Sequence, residues 1–387
     1  MSTQNVPGDK EMWKVMLAAS GSSQVKWTVI VMIVIIIIST AAWIYSKSKY
    51  KEKHCDIIKD VYTDMGKVSS INLNDANYKG YLLRDYYVKT AYNCCAIGSF
   101  KNTFVDVCAL KNVIKQGVRV LDFAIYSVND KPVIAVSSIP CDYSDKEPQC
   151  FVIKESYNYI EFDTAMQIVA SYAYAGDTCP NPNDPLFLNF RIMSKNSGIY
   201  DSMTATLKNK FGDHLLGKEF SYENNGQSLA FEPISKFINK TIIIVDKANP
   251  YFEGTKLEEL VNIGSNSVFM RSLRESEVRN TPDFNELKRY NKKNMTIELP
   301  DVKAEAKNPS ASLGMKYGVQ MVGMCYQSYD ANLEFYEDFF ANAGFAFVLK
   351  PEALRYVEVT IAEPVKQNPE LSYAARVTKA SYYDFTI

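Results

Sequence analysis

Residues 308–330 read NPSASLGMKYGVQMVGMCYQSYD, and residues 339–355 read FFANAGFAFVLKPEALR. Gly318–Cys325 is an apolar run of strand length, and Leu333–Ala343 carries apolar residues at helical spacing. Phe345–Leu349 is a second short apolar run. Strand, helix, strand in that order is the unit of a parallel sheet. The same alternation extends upstream. Candidate strands are Val118–Ile125, Pro132–Val136, Leu186–Ile192, Thr241–Val245 and Ser267–Met270. Candidate helices are Thr103–Gln116, Phe162–Ala175, Ile199–Phe211, Leu257–Val261 and Thr281–Asn294. The pattern predicts an α/β fold, and its extent, residues 86–356, suits a (β/α)8 barrel of the TIM type.

One stretch, GVRVLDFAIYSVNDKPVIAVSS (Gly117 to Ser138), reads as a hairpin. Its apolar residues alternate, Asn129-Asp130 make the turn, and a second apolar run follows. Asp122 stands near the end of the first strand, where barrels of this kind place their chemistry. Neither strand carries a histidine, and the whole chain has only two, His54 and His214.

The 387 residues are 47% hydrophobic with a net charge of -1. A large core is affordable, while neither a basic nucleic-acid field nor an acidic disordered composition is present. Asn, Lys and Ile are frequent, as in products of AT-rich genomes. Trp27–Tyr45, WTVIVMIVIIIISTAAWIY, is uncharged and is bounded by Trp27, Trp43 and Tyr45. At about 1.5 Å per residue it spans roughly 28 Å, close to the hydrocarbon core of a bilayer. The aromatics suit the interfacial belts. A signal peptide would have a shorter apolar stretch after a basic start, whereas 26 mostly polar residues come first here. A single-span anchor is therefore expected. Lys47, Lys49, Lys51 and Lys53 follow it and lean toward a cytoplasmic C-terminal domain. The eight cysteines form no CxxC pair or metal-finger spacing, and read as buried free thiols of a reducing compartment. On the other side of the membrane, Asn239-Lys240-Thr241 and Asn294-Met295-Thr296 would be glycosylation acceptors.

The segments together resemble the catalytic barrel of phosphoinositide-specific phospholipase C. The two C-terminal stretches quoted first are similar to that family's second catalytic box, with Leu313 in place of its usual Trp. DYYVKTAYNCC, GVRVLDFAIY with PVIAVSS, and DPLFLNFRI follow the order of its N-terminal half. The resemblance implies a phosphodiesterase with two catalytic histidines and often a calcium ion. Hydroxyl attack on a phosphodiester needs a base and an acid, for which imidazole is suited at neutral pH. Where the family has its first histidine this chain has Tyr92, with the neighbouring Asn93 kept. Where the second would lie stand Val136, Ser137 and Ser138. Asp122 matches the first metal-binding acid, Ala124 the second, and Arg191 a third. Of the phosphate-binding lysines only Lys247 survives, with Val245 at the other place, and Ile297 stands where an arginine is usual.

These matches imply a degenerate site of Tyr92, Asn93, Asp122, Ser138 and Arg191. Asn93 and Asp122 are remnants of a metal site, and Arg191 and Lys247 are candidates for binding an anion. The calcium ligand set is incomplete, so no cofactor is expected. Asp122 and Arg191 are expected to pair across adjacent strands; the alternative is that Arg191 keeps an anion site. His214 reads as a surface residue near a helix end, and Tyr92 would be a weak acid. The expected organisation is a polar tail (1–26), an anchor (27–45), a basic juxtamembrane segment (46–85), the barrel (86–356) and an extension (357–387) that could begin with a strand, Tyr356–Ile361. The expected function is a membrane-anchored, catalytically inactive phospholipase-C-like protein, acting as a scaffold or as a reader of phosphoinositide headgroups, with the bilayer as partner and no nucleic acid. Two alternatives stand beside it: an active phosphatidylinositol phosphodiesterase with rearranged residues, and a structural membrane protein of a large DNA virus.

Overall fold

Alternation along Val120–Val128 sends Asp122, Ala124 and Tyr126 to one face and Phe123 and Ile125 to the other. In the computed structural model this strand is β2 of a barrel. The structure describes residues 23–386 apart from 77, 144, 146–147, 153–154, 222–227, 359–367 and 369–374. The other barrel strands are β1 (Tyr86–Ala91), β3 (Leu186–Met193), β4 (Thr241–Asp246), β5 (Ile263–Ser265), β6 (Met270–Arg274), β7 (Met295–Leu299) and β8 (Met321–Met324). Their spatial order is β5-β4-β3-β2-β1-β8-β7-β6, and every neighbouring pair is parallel. β5 and β6 have no ladder between them and are joined only by residues 266–269, too short for a crossover helix, so the barrel is nearly closed. Phe347–Leu349 pairs antiparallel with the first residues of β1. The (β/α)8-type fold expected from the sequence is the fold observed.

The helices that matter here begin and end where local chemistry permits. The Asp106 carboxylate accepts the Cys108 amide at 2.8 Å and starts α2 (Val107–Lys115). The Asp330 carboxylate caps the helix Ala331–Ala343, which Gly344 ends at φ +76°. Asn129 and Asp130 take φ of +49° and +60°, the two-residue turn that matches strand twist. Two sequence expectations shift. The strand expected at Ser267–Met270 begins only at Met270, because Asn266 adopts φ +57° and turns the chain. The helix expected at Leu257–Val261 is a three-residue 3-10 turn, Glu258–Leu260.

The polar residues of the second box are structural. The Gln320 side chain donates to the carbonyls of Arg84, Asn291 and Asn294 and accepts the Thr296 amide. Asn308 accepts the Cys325 amide and donates to the Ser328 carbonyl. Lys350 is buried with its ammonium on the carbonyls of Asn291 and Gly318; burial lowers its pKa to about 7.

The apolar segment lies in one helix, α1 (Ser23–Val61), which continues through the juxtamembrane residues without a break. Trp27, Trp43 and Tyr45 are exposed, as are the apolar residues between them. Further along, Ile58 is buried in the barrel's core. The extension Tyr356–Ile387 is a separate unit holding one exposed hairpin, Val377–Ala380 with Tyr383–Thr386. Residues 356–358 are irregular, and the rest of the strand expected at Tyr356–Ile361 lies outside the described residues.

The cysteine expectation is corrected. Cys55 pairs with Cys108 and Cys141 with Cys150, while Cys94, Cys95, Cys179 and Cys325 are free and buried. Sequence separations of 53 and 9 residues follow no motif; the partners meet only because α1 packs on α2 and one long loop folds over the barrel end. Cysteine use thus gives no support to a reducing compartment. Denatured without reductant, the protein is expected to expose four reactive thiols, and after reduction eight, by chromogenic thiol titration. Eight before reduction would contradict the pairing.

Candidate functional site

The carboxyl ends of the barrel strands surround a cavity of about 530 Å³. β2 supplies Ala124 and Tyr126, β3 Arg191 and Met193, β4 Asp246, and β6 Ser272 and Arg274. Tyr92 and Asn93 reach it just after β1, and Asp301 and Lys303 just after β7. Barrels of this type place ligands at this end.

At its floor lies a closed polar network. β2 and β3 run in register, with Asp122 opposite Asn189 and Ala124 opposite Arg191. The alternation therefore aims Asp122, Asn189 and Arg191 inward together. Arg191 Nε donates to Asp122 Oδ1 and Nη2 to Asp122 Oδ2, both at 2.9 Å. Asn189 Nδ2 donates to Asp122 Oδ1 at 2.7 Å, and the Asn93 amide to Oδ2 at 3.0 Å. Asn93 holds its amide there by adopting φ +47°, which Asn tolerates better than most residues. Its side-chain oxygen accepts Arg191 Nη2 at 2.6 Å. The guanidinium also lies 4.7 Å from the centroid of the Tyr92 ring. Asp122 has no exposed surface. Burial works against the Arg191 charge, but Asp122, with Tyr92 and Tyr126, outweighs it and raises the pKa of Arg191.

This donor set does not fit calcium. A carboxylate offers about four acceptor positions, and Asp122 has all four filled. Calcium takes six to eight oxygens at about 2.3–2.6 Å. The second acid position is Ala124, and the guanidinium lies where a cation would meet Asp122 and Asn93. The ion pair expected from the sequence is present.

Other expected site residues lie elsewhere. Lys247 does not line the cavity; its ammonium is 2.8 Å from Glu253. Ser138 also faces away: its hydroxyl donates to Glu155 at 2.7 Å, and its amide joins the same carboxylate. Burial pushes the Glu155 pKa up, but the bonds from Ser138 and Ser137 prevail and lower it. His54 stacks on Tyr50 and His214 on Tyr174, both outside the cavity lining. His214, expected at the surface, is half-buried in the turn after the helix Ser197–Phe211, with its Nδ1 2.8 Å from the Asn239 carbonyl.

Arg274 was not expected. It ends β6 opposite Leu299 of β7, one pleat above Ser272 opposite Ile297, where the family's arginine is missing. Its Nη1 donates to the Pro300 carbonyl at 3.0 Å, and the side chain lines the cavity. The alternation of Met270, Ser272 and Arg274 was the available signal, hidden by the polar composition of MRSLR. Across the rim, Asp301 accepts the Ser276 amide and lies 3.2 Å from Lys303, and Asp246 accepts from the Ala248 amide and Asn266.

A nearly closed parallel barrel with a polar pocket at the carboxyl ends of its strands defines a protein of the (β/α)8-barrel class. Residues 246–353 match the family model "Phosphatidylinositol-specific phospholipase C, Y domain". Among solved structures, PLC21 of L. pealei is similar at 16% identity and a TM-score of 0.57, covering 74% of this chain and 39% of that one. PLC21 of S. officinalis is similar at 16% identity and a TM-score of 0.54, covering 71% and 38%. This chain thus spans about two fifths of the length of those proteins. No curated protein matches it in sequence. The chain thus shares the barrel fold of those phospholipases, and its residues 246–353 carry the likeness to the Y domain.

Asp122→Ala would leave a buried guanidinium without its counter-charge and is expected to cost about 3–5 kcal/mol in urea unfolding. Asp122→Leu combined with Arg191→Met removes both charges and is expected to cost less than Asp122→Ala alone. A loss below about 1 kcal/mol for Asp122→Ala, the range of an exposed pair, would contradict the network's burial.

Proposed function

We propose that this chain is a membrane-anchored member of the family that holds an anionic inositol phosphate headgroup in its mouth cavity without cleaving it. The observation that carries this reading is the saturation of Asp122 by Arg191, Asn189 and the Asn93 amide. A carboxylate so engaged has no capacity left to hold a metal or to accept a proton from an attacking hydroxyl. No imidazole lines the cavity among the described residues. Burial pushes the hydroxyl pKa of Tyr126 and Tyr143 up, away from useful acid–base work at neutral pH.

Two features support binding. The cavity is open rather than filled by side chains, and Arg274 and the outer edge of Arg191 present cationic donors to it, groups suited to phosphate. The anchor is α1, whose Trp27–Tyr45 stretch has the length, apolarity and aromatic ends of a bilayer span.

The test is hydrolysis of phosphatidylinositol vesicles by the purified full chain with calcium in excess. Release of inositol phosphate is expected to stay at the protein-free blank. Release by the wild-type chain that disappears in Asp122→Ala would overturn the proposal.

A further inference from the structure

α1 does more than tether. Its lower half lies alongside α2, and the contacts between them climb both sequences together. Lys51 pairs with Asp106 at 2.6 Å, Cys55 is bonded to Cys108, Asn112 donates to the Ile58 carbonyl at 3.0 Å, and Lys115 donates to the Tyr62 carbonyl at 3.3 Å. The two helices therefore run in the same direction. α2 follows β1 and starts at the carboxyl end of the barrel, so α1 passes from the cavity end of the barrel toward its opposite end. Contacts earlier in α1 agree. The Tyr50 ring packs on Phe104 at 5.8 Å, and Lys47 lies 5.0 Å from the centroid of the Tyr157 ring. A side chain at Gly98 would strike the Tyr50 hydroxyl at 2.7 Å. Phe104 and Gly98 belong to the loop after β1, on the cavity side.

Followed back toward its start, α1 leaves the barrel on that same side. From Tyr50 to Tyr45, where the apolar stretch ends, is five residues, about 8 Å along a helix. That is roughly the depth of a headgroup layer. The helix has no break between the apolar stretch and the packed half, and the disulfide fixes its register on α2.

Resting on the anchored-barrel reading above, we propose that α1 and α2 form a covalently clamped post that turns the cavity toward the bilayer holding the chain, so that its ligand is a lipid headgroup of that same leaflet and not a solute. The occupant follows from the continuity of the helix: at this standoff the material in front of the mouth is the headgroup layer itself.

The experiment uses the full chain in liposomes containing lipid with a nitroxide on the headgroup. One environment-sensitive fluorophore is placed at Lys131→Cys, beside the hairpin tip on the cavity side, and in a second preparation at Asn183→Cys, exposed before β3 at the far end. The native free thiols are buried and do not compete. Strong quenching at position 131, at least severalfold that at 183, is expected. Equal quenching, or stronger quenching at 183, in protein that floats with the liposomes after alkaline washing overturns the orientation while leaving the anchor standing. Protein that does not float overturns the anchor itself. A flexible Gly-Ser insertion between Tyr45 and Lys47 is expected to bring the two signals closer while keeping flotation; an unchanged difference would show that the post does not set the orientation.

Discussion

The ion pair of Asp122 and Arg191 is the constraint on which the site depends. A buried carboxylate must be matched by charge and hydrogen bonds or else become neutral. Here one guanidinium and two asparagines supply everything Asp122 can accept. Once Arg191 stands on β3 opposite Ala124, the inward face of the two strands is electrostatically complete. A divalent cation in the same place would have to displace a guanidinium that is itself held by Asn93 and the face of Tyr92. The network supports the barrel end and leaves Asp122 no acceptor position for an ion.

The cavity remains above this closed floor. Its charges are mixed: Arg274 and Lys303 face Asp301 and Asp246, and each acid already accepts hydrogen bonds from neighbouring residues. The long loop after the β2 hairpin, clamped by Cys141–Cys150, forms one wall, and Glu155 ties its end to Ser137 and Ser138. The Val136–Ser138 segment, where the resemblance implies a histidine, is thereby part of the wall's support.

Sequence reading recovered the fold better than the site, for physical reasons. β3 and β4 are covered on both faces, so their apolar runs were plain. The second box was legible because Asn308, Gln320 and Lys350 bond specific main-chain groups and cannot vary freely. β1 was less visible because Lys89 is buried within it, its ammonium on Glu337 and the Gln116 carbonyl. β7 hides Thr296 and Glu298 beneath its covering helices, which breaks the expected apolar pattern. The pairing of Asp122 with Arg191 could be anticipated from strand order, while the turning away of Lys247 depends on Glu253, six residues downstream, and the disulfides depend on tertiary contact alone.

The central claim is that Arg191 occupies the role of the metal. Calorimetric titration of the purified chain with calcium tests it most directly, with Asp122→Ala and Arg191→Glu alongside. The wild-type chain is expected to show no saturable calcium binding that depends on Asp122, and Arg191→Glu, which exchanges the guanidinium for a carboxylate, is expected to gain heat. Saturable binding by the wild-type chain that vanishes in Asp122→Ala would contradict the account.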